Sequence, residues 1–276
     1  RPPHLRYAIP RHAIPQASFD PETRVLSFQT SHLGALAMLQ PTTLDFPYKR
    51  WLISPIDHRS CSFTLQTRRH LLEMIVSSEG AELRSPALPE LSTLLHKPMV
   101  PTTLIQLLRE CGINLSPVDA DASSIDGVTP KTGDLECELH SMLVGLLPRY
   151  QLTSSKWNQS RGRNKVLFRL SKSKEVVDLE TGDSSKAADP FADIDSSWPS
   201  MVFAHRYVAR CNALDSDMTC DEAPLTDHSA HSTPLECVSI DDPDVRAELA
   251  IASRLYFDQA RQLLDCLRLF SFTQPN

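Results

Sequence analysis

Glycine is scarce in this 276-residue chain, which has only 8. Neither G-x-G-x-x-G nor G-x-x-x-x-G-K-[ST] can be found in it, so the familiar phosphate cradles are excluded. It has no apolar run of the roughly 18 residues that a membrane-spanning helix needs. Nor does it open with the charged-then-apolar pattern of a signal peptide. A basic excess is missing too: 28 Lys and Arg stand against 34 Asp and Glu, a formal charge of −6. A general nucleic-acid binder needs a basic field to displace counterions from phosphates, so that class is set aside. No repeat of blade or solenoid length is visible. Seven cysteines at irregular spacing do not make a secreted disulfide framework and fit a reducing compartment.

What is present is enough for a globular core. Apolar residues make up 41% and charged residues 22%, close to the balance of ordinary folded domains. The 21 prolines crowd into residues 1–60 and 86–101, which predicts short segments ended by rigid turns. Strands are predicted at Thr23–Thr30, Trp51–Ile53, Cys61–Gln66 and Leu72–Val76, where apolar and polar residues alternate at hairpin-like spacing. At Pro101 the period changes to helical. Thr102 or Thr103 is a candidate cap for a helix through Glu110, closed by Gly112.

A second helix is predicted from about Asp134 to Leu147, stopped by Pro148, then strands at Val166–Leu170 and Met201–Val208. The last element has Asp242-Pro243 as a start signal. Val245, Leu249, Ala252, Tyr256, Ala260, Leu263, Leu267 and Phe270 follow at helical spacing, a single stripe for packing on the sheet or docking a partner. The fold class read from this order is α+β: an N-terminal antiparallel β-sandwich-like part, then a mixed α/β part with a long C-terminal helix. The expected division is residues 1–98 and 99–276, with acidic loops near 117–134, 178–199 and 209–237.

Three constellations carry residue types suited to chemistry. Cys211, Cys220, His228, His231 and Cys237 cluster in sequence, but no cysteine pair has knuckle spacing, so no metal is expected. Asp57-His58-Arg59-Ser60-Cys61 places an acid, a base and nucleophiles side by side. Triads, however, are assembled from distant positions, and Cys61 sits in an alternating strand. Asp241-Asp242 reads as helix capping. No catalytic residue and no cofactor is expected.

One charge cluster stands out. Lys156, Arg161, Arg163, Lys165, Arg169, Lys172 and Lys174 form a run with no acid until Glu175. Its bland reading is a solvated loop and strand face; its functional reading is a local basic patch for an acidic partner. Trp157 beside it either anchors the patch in the core or presents an aromatic to the partner.

Several stretches together resemble one family. Phe19-Asp20-Pro21-Glu22-Thr23-Arg24-Val25-Leu26-Ser27-Phe28 is followed by Leu39-Gln40 and Phe46-Pro47-Tyr48-Lys49-Arg50-Trp51. Then come Pro101-Thr102-Thr103-Leu104-Ile105, Cys111-Gly112-Ile113-Asn114-Leu115-Ser116-Pro117, Ser155-Lys156-Trp157-Asn158 and the terminal helix. In that order they are similar to the C-terminal half of the cancer susceptibility candidate one family, also called axonemal dynein intermediate chain seven. The loops at 117–134 and 209–237 depart from it.

The resemblance implies a non-catalytic structural or regulatory component of the cilium or flagellum axoneme, part of the cytoskeleton and of cell motility. Inner-arm dynein subunits and the tubulin of the doublet microtubule are the implied partners, with no nucleic acid and no membrane. Lys156, Trp157, Arg161, Arg163, Lys165 and Arg169 are the candidate contacts with acidic tubulin. The alternative is a cytoplasmic assembly adaptor for axonemal dynein.

Overall fold

The computed structural model describes residues 18–20, 22–23, 25–30, 41–173, 189–192, 194, 198, 200–204, 207–212, 219–224 and 251–274. The chain divides into two compact units, residues 1–40 and 41–276. The point between residues 98 and 99, expected as a boundary, lies inside the second unit.

In the first unit, β1 (Ser18–Asp20) and β2 (Val25–Ser27) pair antiparallel, with Phe19 opposite Leu26. Asp20 makes the turn: its carboxylate accepts the Glu22 N–H at 2.9 Å and the Thr23 hydroxyl at 2.6 Å. A short polar side chain bonding the backbone two residues on is what favours Asp in such turns.

Among the described residues, the second unit is built on one antiparallel sheet of nine strands. They are β3 (Arg50–Asp57), β4 (Ser60–Gln66), β5 (Leu71–Ser77), β6 (Gly80–Ser85), β7 (Tyr150–Ser154), β8 (Lys165–Lys172), β9 (Ser200–Ala204), β10 (Tyr207–Asn212) and β11 (Thr219–Pro224). Their spatial order is β11-β10-β9-β8-β7-β3-β4-β5-β6. The class is α+β, as the order of patterns implied. Instead of a second sheet, helices α1 (Pro101–Glu110), α2 (Gly133–Leu143) and α3 (Arg254–Leu267) supply the other layer, with α3 against β5, β6, α1 and α2.

Alternation decides which side chains meet them. Trp51 and Ile53, Phe63 and Leu65, Leu72, Met74 and Val76, and Val166, Phe168 and Leu170 all belong to one buried cluster with Leu104, Leu108, Leu139, Tyr256, Ala260 and Leu263. Each such side chain taken from water contributes about 1.5–3 kcal/mol. The stripe of the last helix is therefore spent on packing at Tyr256, Ala260, Leu263 and Leu267, whereas Val245 and Leu249 lie outside the described residues.

Several element ends differ from expectation for local reasons. The first helix starts with Pro101 in its first turn after Val100, so Thr102 and Thr103 lie inside it and cap nothing. Proline suits that position because its missing N–H would be unpaired there anyway. Gly112 follows with φ 87°, the left-handed residue expected there. The second helix ends at Leu143, where tighter i+3 bonds at Gly145 and Leu146 take over before Pro148.

Helix α3 begins at Arg254 after the extended Ser253 (φ −75°, ψ 134°), and the expected start at Asp242-Pro243 lies outside the described residues. Residues 201–208 hold two strands, β9 and the start of β10, and β10 and β11 lie in the stretch expected as a loop. The outer strand β6 is not left open. Ala81 exchanges hydrogen bonds with Met99, and His96 donates to the Leu83 carbonyl. Gly80 makes that approach possible, since a Cβ there would press into the Met99 carbonyl.

Candidate functional site

The basic run starts in the connection between β7 and β8. Lys156 and Trp157 are exposed, Trp157 at 39%, and the Lys156 ammonium lies 5.1 Å from the Trp157 ring centroid. Trp157 therefore presents its ring to solvent and does not anchor the patch in the core. Arg161 is half-buried at the end of a short 3-10 turn (Gln159–Arg161), and Arg163 is exposed just beyond Gly162. Lys165 and Arg169 lie within β8, four residues apart, so alternation puts them on the same face. Val166, Phe168 and Leu170 take the opposite face, toward the helices. Lys172 falls on that second parity at the exposed strand end, and Lys174 lies outside the described residues. The run is thus two groups: a loop set and a strand set.

The loop set is held from beneath by residues whose role has no periodic signature in sequence. Asn158 is buried; its amide donates to the Phe270 carbonyl at 2.6 Å, and its oxygen accepts the Leu167 N–H at 3.0 Å. Gln159 donates to the carbonyls of Ser271 and Thr273 at 3.0 and 2.8 Å and accepts from Thr129. Lys131, expected as part of a polar loop, is wholly buried, and its Nζ donates to the carbonyls of Asn158 and Gly162 at 2.7 and 2.8 Å.

The chain after α3 receives these bonds. Arg268 turns left-handed (φ 47°) and donates from Nε to Glu136 at 3.0 Å. Glu136 in turn accepts the Ser271 N–H at 3.0 Å. Tyr48 N–H donates to the Phe272 carbonyl at 2.7 Å, joining the tail to the sheet.

Burial brings the Lys131 ammonium down to about 8 from 10.5, opposed by the charge of Glu136. Its pKa is therefore lower folded than unfolded, and between pH 8 and 10.5 the unfolded chain binds more protons. The Lys131 contribution to stability rises with pH across that window. A neutral amine keeps two N–H groups, enough for both carbonyls. Lys131→Met should cost about 1–3 kcal/mol at pH 7, because the Gly162 carbonyl loses the Lys131 donor and the Asn158 carbonyl keeps only the Arg161 N–H at 3.3 Å, and the deficit should widen toward pH 10 in urea unfolding of both proteins.

On the side of the sheet away from the helices, Arg50 makes the most specific contact. Its Nη2 donates to both carboxylate oxygens of Asp189 at 3.1 and 3.0 Å, and its guanidinium lies 4.0 Å above the Phe191 ring. The Asp189 carboxyl is held below its usual range, first by the Phe191 N–H and then by Arg50. Sequence reading passed over Arg50 because it stands apart from the run.

The other constellations take structural places. Asp57 accepts from the Arg59 N–H at 2.7 Å and the Ser60 hydroxyl at 2.9 Å, making the β3–β4 turn. Cys61 is buried and its thiol is pushed up to about 12 by that burial, far from the reactive thiolate a nucleophile needs. Cys211 and Cys220 are backbone partners across β10 and β11, and His228, His231 and Cys237 lie outside the described residues. Among the described residues no group of three or more His, Cys, Asp or Glu is placed to hold a metal, and no helix is long and apolar enough to cross a membrane.

No family model matches the chain. It is similar to individual proteins, however. A dynein axonemal intermediate chain 7 homolog from Ciona intestinalis is 29% identical over 160 residues, 57% of this chain and 21% of that protein. Dynein axonemal intermediate chain 7 from Danio rerio is 23% identical over 264 residues, 94% of this chain and 34% of that protein. The Homo sapiens protein of the same name is 23% identical over 160 residues, covering 57% and 22%. The chain thus spans about a third or less of the curated relatives it matches. With one match running along 94% of its length, the chain is related to the dynein axonemal intermediate chain 7 family that its motifs resemble.

Proposed function

We propose that this chain is a non-catalytic structural or regulatory component of the ciliary or flagellar axoneme. In this reading it associates with inner-arm dynein and meets doublet-microtubule tubulin through its basic loop. The axonemal and dynein parts come from the names of the relatives.

The tubulin part is supported by one observation above all. Lys156, Trp157 and Arg163 are exposed on a loop whose neighbours Asn158 and Gln159 are buried and bonded to a fixed tail. A preorganised set of cations loses little entropy on meeting an acidic partner, so its attraction goes into association and register. Lys165 and Arg169 extend the same charge along β8.

Contacts between exposed charges are screened by salt, with a Debye length of about 10 Å at 0.1 M. Microtubule co-sedimentation should therefore be strong at low ionic strength and weak at high. It should also fall several-fold on microtubules stripped of their acidic C-terminal tails. Binding that ignores both salt and tail removal would contradict the role of the basic loop.

A further inference from the structure

The buried side chains of β8 and β9 are not all turned toward the helices. Leu167 and Val202 are opposite one another in register and only 0% and 3% exposed, yet neither belongs to the main core cluster. Phe191 and Trp198, on the connection between β8 and β9, are likewise buried and likewise outside that cluster. Asp189 on the same connection holds Arg50 of β3 in a two-oxygen ion pair, with Phe191 beneath the guanidinium.

Arg50, Lys165 and Arg169 share this side of the sheet, because their strand neighbours Trp51, Val166, Phe168 and Leu170 face the helical core. The strand register runs from Leu52 to Thr153 and from Thr153 to Arg169. That places Arg50 two strands across and two residues along from Arg169, about 12 Å between Cα atoms at ordinary strand spacings. A basic face is thus already occupied, in part, by an acidic and aromatic segment of the same chain.

We propose that this face is a docking site for an acidic peptide and that Asp189 and Phe191 are its internal competitor. The inference rests on the proposed role of the basic run and deepens it. The partner would place a carboxylate on Arg50 and extend further carboxylates toward Lys165 and Arg169. The chemistry is displayed by the internal occupant, a carboxylate on the guanidinium Nη2 and a ring against its flat face. Both groups of the ion pair remain substantially exposed, 39% and 50%, so exchange with an outside carboxylate requires no opening of the core.

The test uses the full chain and a fluorescein-labelled decaglutamate peptide, followed by fluorescence anisotropy at low salt. Asp189→Asn and Phe191→Ala, each removing one half of the internal contact, should bind about two- to fivefold more tightly than wild type, the size of an exposed ion pair or cation–π contact. Adding Arg50→Ala to either should reverse the gain. Circular dichroism reports whether each variant is folded, and Asp189→Asn, a nearly isosteric surface change, stands in if Phe191→Ala is not. Unchanged or weaker binding by folded Asp189→Asn would overturn the inference. Decaglutamate binding lost on charge reversal of the loop cations would still leave the basic-run reading standing, so the two fail separately.

Discussion

Phe270→Ala should lower the unfolding free energy by about 3–5 kcal/mol, the usual cost of emptying a large aromatic site in a packed core. The Phe270 ring is at the point where three elements converge. It stands edge-on to Trp51 of β3 at 5.4 Å and to Phe168 of β8 at 5.9 Å, and against His140 of α2 at 5.8 Å. Such aromatic pairs add about 0.5–1.5 kcal/mol each beyond the area they bury.

The backbone of the same residue accepts the Asn158 amide at 2.6 Å. A shift of the tail is therefore passed to the loop carrying Lys156, Trp157 and Arg161. Urea unfolding should show the loss of stability. A cost below about 1 kcal/mol would mean that the Phe270 ring does not hold β3, β8 and α2 together.

Charge reversal of Lys156, Arg161, Arg163 and Lys165 to Glu is the second large expected effect. It should abolish salt-sensitive microtubule binding, a loss of at least about thirtyfold. Each exposed pairing is worth only about 0.2–1 kcal/mol. Reversal, however, replaces attraction by repulsion at four positions at once, and like charges facing one another across an interface are costly. Lys156 and Arg163 are exposed and Arg161 and Lys165 half-buried, so circular dichroism must show that the variant is folded. Co-sedimentation at two salt concentrations reads the result, and unchanged binding by the folded variant would remove this patch from the account.

The parts of the fold that could be read in sequence are those where a period coincides with a face. Alternation in Cys61–Gln66 and Leu72–Val76 places Cys61, Phe63, Leu65, Leu72, Met74 and Val76 in the core. The helix after Pro101 likewise buries Leu104, Ile105 and Leu108. Strands β6 and β7 were missed because each offers only two inward apolar residues, Ala81 and Leu83 or Tyr150 and Leu152. Two residues do not establish a period. The sheet as a whole was not legible either, since β3 pairs with β7 about a hundred positions later.

The candidate site divides the same way. The basic run is plain in sequence, but its footing is not. Lys131 acts through hydrogen bonds to the carbonyls of Asn158 and Gly162, and Asn158 through one to the Phe270 carbonyl, all distant in the chain. Arg50 stands apart from the run, and its ion-pair partner Asp189 lies 139 positions away. Asp45 shows the same blindness. It is fully buried, clamped by Arg69 at 2.9 Å and by the Asn114 N–H at 2.8 Å, and nothing local in Leu44-Asp45-Phe46 announces it.

The central claim is that the chain works as part of the axoneme. Tagged full-length protein, fractionated into cytosol, detergent-soluble matrix and salt-extracted axoneme, tests it most directly. Retention on washed axonemes, with release alongside the dynein arms at high salt, is the expected result. Recovery in the cytosol alone, together with chaperones, would contradict it and point to a dynein assembly adaptor instead.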